Sequence, residues 1–230
     1  MLALTAFVSM LAPLAAQAQF DNAQAQSQAD SYPAWSLQYD VSYFTVLSAT
    51  PGTRGAVTCT DSTIMGNVGS SGQRPAVVET RCSVSGRVVA PVTAAVLAQF
   101  NSECSNIGNG TCQKKLAGML AGVILPPGVY CFPAAVTGTV TLNGPGTGVW
   151  VIQVNDDLTG ESFSMVMAGK GKPCNVYLES SGATTMTTSN AKGNILAGRA
   201  ITLTGGSFVG RAFAKKAVTL TDIAATGCVQ

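Results

Sequence analysis

Residues 193–209 read GNILAGRAITLTGGSFV, and residues 210–226 repeat the same pattern as GRAFAKKAVTLTDIAAT. Glycine, alanine, threonine and leucine recur at matching places of the two 17-residue units. A unit this short does not fold alone, but it fits one coil of a β-solenoid, whose coils bury their apolar sides only by stacking. The repeat therefore predicts a solenoid in the C-terminal half of the chain.

Each unit carries an alternating run, Ile-Thr-Leu-Thr at 201–204 and Val-Thr-Leu-Thr at 218–221. Successive strand side chains point to opposite faces, so the aliphatic residues point inward and the threonines outward. Stacked coils then carry an outward ladder of Thr-x-Thr. We expect three weaker copies to lie in register with the Thr-Leu-Thr triplets at 202–204 and 219–221. They are Thr141-Leu142-Asn143, Asp157-Leu158-Thr159 and Thr184-Thr185-Met186.

Composition excludes several functions. Only 10% of the 230 residues are charged, compared with about 25% in an average soluble domain. The net charge is +2 without a basic run, which argues against a nucleic-acid partner. Histidine, the commonest general base and transition-metal ligand, is absent. Carboxylates cluster only at Asp156-Asp157, which we interpret as a turn between coils. We predict no catalytic residue, no metal site and no cofactor.

The N-terminus is typical of an exported protein. Its apolar run ends in Ala16-Gln17-Ala18, a small-x-small cleavage signal, so we expect a signal peptide at 1–18. Residues 19–38 are rich in Gln, Ala and Ser and predict a flexible leader before a solenoid domain at 39–229. No later apolar run approaches the ~18 residues of a membrane span. We expect the mature protein to be secreted, either extracellular or in the periplasm or at the cell surface, without a membrane partner.

Seven cysteines agree with an oxidising compartment. One thiol must stay unpaired within the chain, and Cys104 is the residue left over by the pairing that we favour. Because connectivity does not follow from sequence, Cys104–Cys112 stays an alternative. The odd thiol is either buried or available for self-association through Cys104. The favoured pairs are Cys59–Cys82, Cys112–Cys131 and Cys174–Cys228.

Short β-branched runs from Tyr39 to Val89 predict strands, and the segment that follows them breaks this pattern. Residues 91–104, PVTAAVLAQFNSEC, have helical periodicity with a proline suited to the first turn. We predict a helix here, packed with the N-terminal strands alongside the solenoid, and a second, weaker helical segment at 114–119. The buried face of the first helix is expected to comprise Val92, Ala95, Val96, Phe100 and Cys104.

Several segments in fixed order resemble the secreted ice-binding (antifreeze) protein family of bacteria, fungi and microalgae. They are GVYCF (128–132), TGTVTLNG (137–144), GVWVIQV (148–154), CNVYLES (174–180), GNILAGRAITLTGG (193–206) and GRAFAKKAVTLT (210–221). The resemblance covers roughly residues 41–228 and is dense over 126–228. It implies a mainly β fold, a right-handed β-solenoid (β-helix) with one α-helix packed alongside.

The resemblance also implies an ice-contacting face just after each Thr-Leu-Thr strand, in segments that resemble Thr-Gly/Ala-x-Thr/Asn. Glu161, Lys192 and Asp222 lie in or next to these segments, and such charges would disturb an ordered water layer. The candidate ice-binding residues are Thr159, Ser162, Thr187, Ser189, Asn190, Thr204, Ser207, Thr221 and Thr226.

A threonine ladder suits ice because its side chains form a regular grid, about 4.8 Å between coils and about 6.6 Å along a strand. Methyl groups favour ordered water and hydroxyls anchor it, and a stiff β-branched surface loses little entropy on binding. We predict a protein that adsorbs to ice crystals through a flat Thr/Ser-rich face and inhibits their growth or recrystallisation. The alternative is a non-enzymatic extracellular adhesive or structural solenoid that does not bind ice.

Overall fold

The computed structural model describes residues 39–50, 56–73 and 75–228; the predicted signal peptide and leader, and Val229, lie outside them. The described residues contain helices α1 (Tyr39–Ser42) and α2 (Ala94–Gly108), and a 3-10 turn at Pro173–Asn175. The strands are β1 (Phe44–Ser48), β2 (Val57–Thr60), β3 (Thr63–Met65), β4 (Asn67–Ser70), β5 (Val77–Thr80), β6 (Ser83–Val84), β7 (Val88–Val89), β8 (Lys114–Lys115), β9 (Val123–Leu125), β10 (Gly128–Cys131), β11 (Ala135–Gly144), β12 (Trp150–Val154), β13 (Leu158–Gly169), β14 (Val176–Ser180), β15 (Thr184–Ala197), β16 (Ile201–Ala214), β17 (Val218–Thr221) and β18 (Ala224–Thr226).

Parallel pairings sort the strands into three stacks, which are the three sides of a β-solenoid, as predicted. Sheet A contains β5, β2, β17 and the beginnings of β16, β15, β13 and β11. Sheet B contains β6, β3, β18, the middle parts of β16 and β15, the ends of β13 and β11, and β9. Sheet C contains β7, β4, β1, the ends of β16 and β15, then β14, β12, β10 and β8.

The two 17-residue units stack in the predicted register, with Thr202 beside Thr219 and Leu203 beside Leu220. The register predicted for the weaker copies is wrong. Met186 and Gly160 are the residues aligned with Leu203. The triplets in register are therefore 185–187 and 159–161, one and two residues later than expected, and 141–143 belongs to sheet B instead.

Such an error matters because strand side chains alternate between two faces, so a slip of one residue exchanges the inner and outer positions. Thr184 illustrates the consequence. Its side chain is fully buried and its hydroxyl lies 2.8 Å from the hydroxyl of Ser180. A threonine repeat is thus not sufficient to identify the outward positions.

The N-terminal strands were predicted to pack alongside the solenoid. They extend it instead. β2 pairs with β17, and β3 pairs with β18. β1 lies between the end of β16 and β4 in sheet C. The coil that β17 and β18 begin is therefore completed by β1, from the opposite end of the chain.

Helix α2 packs against the outer side of sheet C and carries the chain from β7 at one end of that sheet to β8 at the other. The predicted helix is confirmed, but it begins at Ala94, and the Thr93 hydroxyl caps it by accepting from the Val96 amide at 3.4 Å. Ala95 is exposed, contrary to prediction, because it lies off the helical stripe that faces the sheet. The buried stripe is Val96, Phe100, Glu103, Cys104 and Ile107.

No helix forms at 114–119, where one was predicted. Lys114 and Lys115 form β8 and pair with Tyr130 and Cys131. The neighbouring disulfide Cys112–Cys131 joins these two segments. Strand pairing at the end of sheet C overrides the weak local helical pattern.

The three favoured disulfides are confirmed, with Cα–Cα distances of 5.7, 5.6 and 5.5 Å. They join Cys59 to Cys82, Cys112 to Cys131 and Cys174 to Cys228. The alternative Cys104–Cys112 pairing is therefore wrong. Cys104 is a free thiol on the buried face of α2, where burial raises its pKa to about 12. A buried, protonated thiol is inert, so its position does not support self-association through Cys104.

The solenoid ends at β5, where a charge occupies an inward position. Glu79 pairs with Cys59 of β2. Leu220 of β17 and Leu203 of β16 continue the same inward column in the next two coils. Glu79 is exposed, and none of the described strands forms a further coil over it. An inward-pointing charge at an open sheet edge opposes pairing with another chain.

Replacing Glu79 with Leu should therefore promote end-to-end association, because it continues the apolar column to the open end. We expect the apparent mass in sedimentation velocity to rise with concentration towards that of a dimer. Glu79→Gln is the matched control, since the amide keeps the polarity and the size. A strictly monomeric Glu79→Leu protein would show that this charge does not protect the edge.

Candidate functional site

The outer side of sheet A presents two columns of threonine side chains, which we name the Thr face. The first column is Thr159, Thr185, Thr202, Thr219 and Thr58. The second is Thr187, Thr204, Thr221, Thr60 and Thr80.

The grid is regular because the strand register is unbroken from β15 through β16, β17 and β2 to β5. Four consecutive coils carry threonine in both columns. Spacing is then about 4.8 Å between coils and about 6.6 Å along each strand. The residue between the two threonines of each row is buried, so each row stands on a packed core. These residues are Met186, Leu203, Leu220 and Cys59.

The hydroxyls of these four paired rows are available to solvent. Among the described residues, none of these eight threonine hydroxyls forms a hydrogen bond to another protein group. The eight are Thr58, Thr60, Thr185, Thr187, Thr202, Thr204, Thr219 and Thr221. The side chains are also stiff, because branching at Cβ restricts χ1. The Thr face is an ordered array of methyls and unengaged hydroxyls.

A single charge interrupts the two columns between β11 and β5. Glu161 pairs with Thr187 on one side and with Thr137 on the other, so it stands in the second column at the edge of the four paired rows. Asp222 lies outside the columns, at the next position along the chain. Lys192 belongs to sheet B.

The corner between sheets A and B contains a left-handed residue in every coil from β13 to β5. Its φ angles are 48° at Ser162, 49° at Thr188, 68° at Gly205, 50° at Asp222, 49° at Asp61 and 48° at Arg81. Such angles are uncommon outside glycine, so their recurrence identifies the corner as a repeated turn. Arg81 and Asp61 form an ion pair there, and the Arg81 guanidinium lowers the pKa of the Asp61 carboxyl.

The outer side of sheet B presents a different surface, which we name the Ser/Asn face. Its first column is Thr139, Ser164, Asn190, Ser207, Ala224, Thr63 and Ser83. Its second column includes Ile124, Val166, Lys192, Val209, Thr226 and Met65.

Polar groups on the Ser/Asn face bond each other. The Ser207 hydroxyl donates to Asn190 Oδ1 at 2.8 Å, and Asn190 Nδ2 donates to Ser164 Oγ at 3.4 Å. Lys192 adds a charge, and Met65 and Ile124 are 58% and 63% exposed. This face is therefore less regular than the Thr face and holds fewer free hydroxyls.

The structure separates the predicted site residues. Thr159, Thr187, Thr204 and Thr221 lie on the Thr face, because each predicted four-residue segment starts there and then crosses the corner. Ser162 lies at the corner. The Ser/Asn face holds Asn190, Ser207 and Thr226.

Ser189 does not belong to any outer face, contrary to prediction. It is 2% exposed, and its hydroxyl donates to the Thr187 carbonyl at 2.9 Å while accepting from the Phe163 amide at 3.2 Å. Ser62 repeats this arrangement at another coil, accepting from the Ile223 amide at 3.1 Å. These serines satisfy backbone groups inside the corner.

Several Thr-face residues were not among the predicted site residues. The run Val57-Thr58-Cys59-Thr60 matches Val218-Thr219-Leu220-Thr221 at three of four places, and this local signal could have identified the N-terminal rows. To place Thr185 on the Thr face, the correct register of β15 was needed. To place Thr80 there, the order in which the coils stack was needed. The outward orientation of Thr202 and Thr219 was predicted, but neither was counted among the site residues. The Thr-face threonines absent from the predicted site are Thr58, Thr60, Thr80, Thr185, Thr202 and Thr219.

Over the described ranges, no group of three or more Cys, Asp or Glu side chains is arranged to hold a metal ion. None of the helices in this part of the chain has the length and apolarity needed to cross a membrane.

Comparison with known proteins identifies the family. The ice-binding-like family profile matches residues 49–226. An ice-binding protein of Nostoc sp. (strain HG1) is 33% identical over 195 residues, 81% of this chain and 70% of the relative. A Flavobacterium frigoris (strain PS1) ice-binding protein is 29% identical over 109 residues, 46% of this chain and 37% of the relative.

The same architecture occurs in a solved structure. The ice-binding protein of the Antarctic ascomycete Antarctomyces psychrotrophicus superposes with a TM-score of 0.73 at 24% identity, over 86% of this chain and 100% of that chain. That likeness concerns the fold. Because the family profile spans most of the chain, this protein belongs to the ice-binding-like family.

Proposed function

We propose that the protein adsorbs to ice through the Thr face and thereby inhibits the growth or recrystallisation of ice crystals, without catalysis. The observation that carries this proposal is the block of four consecutive rows with threonine in both columns and with unengaged hydroxyls. The relatives in Nostoc and Flavobacterium are named as ice-binding proteins, which supports the same function.

Adsorption follows from the order of the surface. Water over a fixed grid of methyls forms cages, and hydroxyls at fixed places anchor those cages to the protein. Since the threonines are already stiff, little conformational entropy is lost when the water layer joins a crystal. Ice growing between adsorbed molecules must curve, and a curved surface melts at a lower temperature. Growth therefore stops within a range of undercooling.

We assign to this surface the four predicted residues Thr159, Thr187, Thr204 and Thr221, together with the six threonines identified above. Asn190, Ser207 and Thr226 lie around the corner and are not part of it. We also propose that the protein is exported, because its three disulfides are suited to an oxidising compartment.

The direct test is an ice recrystallisation assay on the folded chain from Gln19 onwards. We expect inhibition at micromolar protein, and we expect fluorescently labelled protein to enter a growing ice hemisphere. Protein that is folded by circular dichroism but excluded from ice would refute the proposal. It would favour the adhesive or structural alternative, and assays of glycan binding and self-association would follow.

Replacing Glu161 with Thr should strengthen the activity, because it removes the charge on the Thr face and adds a fifth paired row. One further row adds at most roughly 1 kcal/mol of buried apolar contact, so we expect less than about a tenfold gain in potency. The measurement is the protein concentration that halves the rate of recrystallisation.

The Glu161→Gln variant separates the two causes. It removes the charge without adding a β-branched methyl group, so we expect a smaller gain than with threonine. A loss of potency in both variants would contradict the assigned face.

A further inference from the structure

The C-terminal end of helix α2 lies over sheet C, where Gln153 of β12 holds it. The Gln153 side-chain amide donates to the carbonyls of Ile107 at 2.5 Å and Gly110 at 2.9 Å. The last carbonyls of a helix have no partner within the helix and carry partial negative charge. No basic residue in the last turn of α2 compensates that charge. The Gly110 amide also donates to the Ile107 carbonyl at 3.2 Å, and the neutral Gln153 amide is therefore an additional donor, from the sheet, at the end of the helix.

Glu179 occupies the equivalent place in the next coil. It pairs with Gln153 in the parallel register of β12 and β14, and it is only 7% exposed. A Cβ atom at Gly108 would lie 3.4 Å from its carboxyl group, so the carboxyl packs against the last turn of α2. No described residue donates a hydrogen bond to this carboxyl.

We propose that Glu179 is a proton-dependent latch that holds the C-terminal turn of α2 on sheet C when it is protonated and releases it when it is ionised. The protonated acid is neutral and has an O–H that can donate to a helix carbonyl, as the Gln153 amide does. The carboxylate has no donor. It adds a buried negative charge at the negative end of the helix.

The charged and titratable groups around Glu179 come from two elements. Burial raises the pKa of Glu179 to about 7, and the positive charge of Lys215, just after β16, partly opposes that rise. Glu103 on α2 is also buried, and burial raises its pKa. The thiol of Cys104, on the same helix, has a pKa of about 12 and is therefore neutral near pH 7.

The sign of the pH dependence follows from the raised pKa. The docked state binds the proton more tightly than the released state, whose carboxyl has an ordinary pKa of 4.5. Stability of docking is fully present below pH 4.5 and is lost as the pH rises through about 7. Between these values the equilibrium constant for opening should rise by up to about tenfold per pH unit and then level off.

Hydrogen exchange of the amides at 104–110, corrected for intrinsic rates, measures this opening between pH 5 and pH 8. We expect the equilibrium constant for opening to rise with pH in the wild-type protein. It should not depend on pH in Glu179→Gln, because glutamine keeps the size of the side chain and supplies a permanent donor. Glu161→Gln, at an exposed carboxyl on the Thr face, is the matched control and should retain the wild-type dependence.

Two results would overturn the proposal. One is opening that is already independent of pH in the wild-type protein. The other is a dependence that persists in Glu179→Gln but disappears in Glu103→Gln, since the latch would then be the helix carboxyl. Because the readout is local exchange, neither result depends on whether the protein binds ice.

Discussion

Replacing Thr204 with Tyr is expected to remove most of the activity against ice recrystallisation. Thr204 lies in the second column of the Thr face, between Thr187 and Thr221, with further rows on both sides. A phenol ring there stands several ångströms above its neighbours and holds ice away from the paired rows. We expect potency to fall roughly tenfold or more, a loss of at least about 1.4 kcal/mol.

Ser207→Tyr is the matched control. Ser207 belongs to the same coil but faces outward from sheet B, so the same ring is added around the corner. We expect this variant to keep wild-type potency. Thr204→Ala should also cost little, because adsorption is spread over many weak contacts. Unchanged activity in Thr204→Tyr combined with a loss in Ser207→Tyr would move the ice-binding surface to the Ser/Asn face.

Replacing Phe100 with Ala is expected to cause the largest loss of stability. Phe100 is fully buried between α2 and sheet C, and its ring meets that of Phe213 edge to face at 5.9 Å. Phenylalanine-to-alanine changes in a packed core cost about 3–5 kcal/mol through lost burial and the cavity left behind. The loss of this aromatic pair adds to that cost.

Chemical denaturation of the oxidised protein measures the change. Asn101→Ala, at the next and exposed position of α2, is the control and should alter the free energy of unfolding by less than about 0.5 kcal/mol. If Phe100→Ala costs no more than this control, the helix contributes little to stability and sheet C is stable without its cover.

Much of the fold was predictable because its units are local. The repeat at 193–226 contains one coil twice, and its alternation of aliphatic residues and threonine decides which side is buried. Helix α2 was predictable from its apolar stripe, although its start was not. Thr93 forms the cap, and a cap depends on one hydroxyl rather than on periodicity.

The three favoured disulfides agree with the structure, although connectivity does not follow from sequence alone. Cysteines that pair within neighbouring coils are near in sequence as well as in space, as at Cys59–Cys82 and Cys112–Cys131, with separations of 23 and 19 residues. These separations are close to the length of one coil. Cys174–Cys228 spans 54 residues, so nearness along the chain does not indicate this pair.

The candidate site was harder to predict than the fold. Thr159, Thr187, Thr204 and Thr221 were identified correctly as outward residues, but Ser189 was not, because it occupies an inward corner position that looks the same in sequence. The N-terminal threonines were missed because they reach the Thr face through contacts across the whole chain, as when the Ile223 amide donates to the Ser62 hydroxyl, 161 residues away.

The sequence by itself determined the coil: its length, its buried side, its strands and the helix that accompanies it. Only the tertiary structure decided how coils stack, which aligns Met186 with Leu203 and inserts β1 between β16 and β4. The physical reason is that a strand's own pattern specifies which side it buries, whereas its register and neighbours are set by hydrogen bonds and packing between distant segments. The Thr face is a property of that stacking, because a column of threonines exists only after separate coils have aligned.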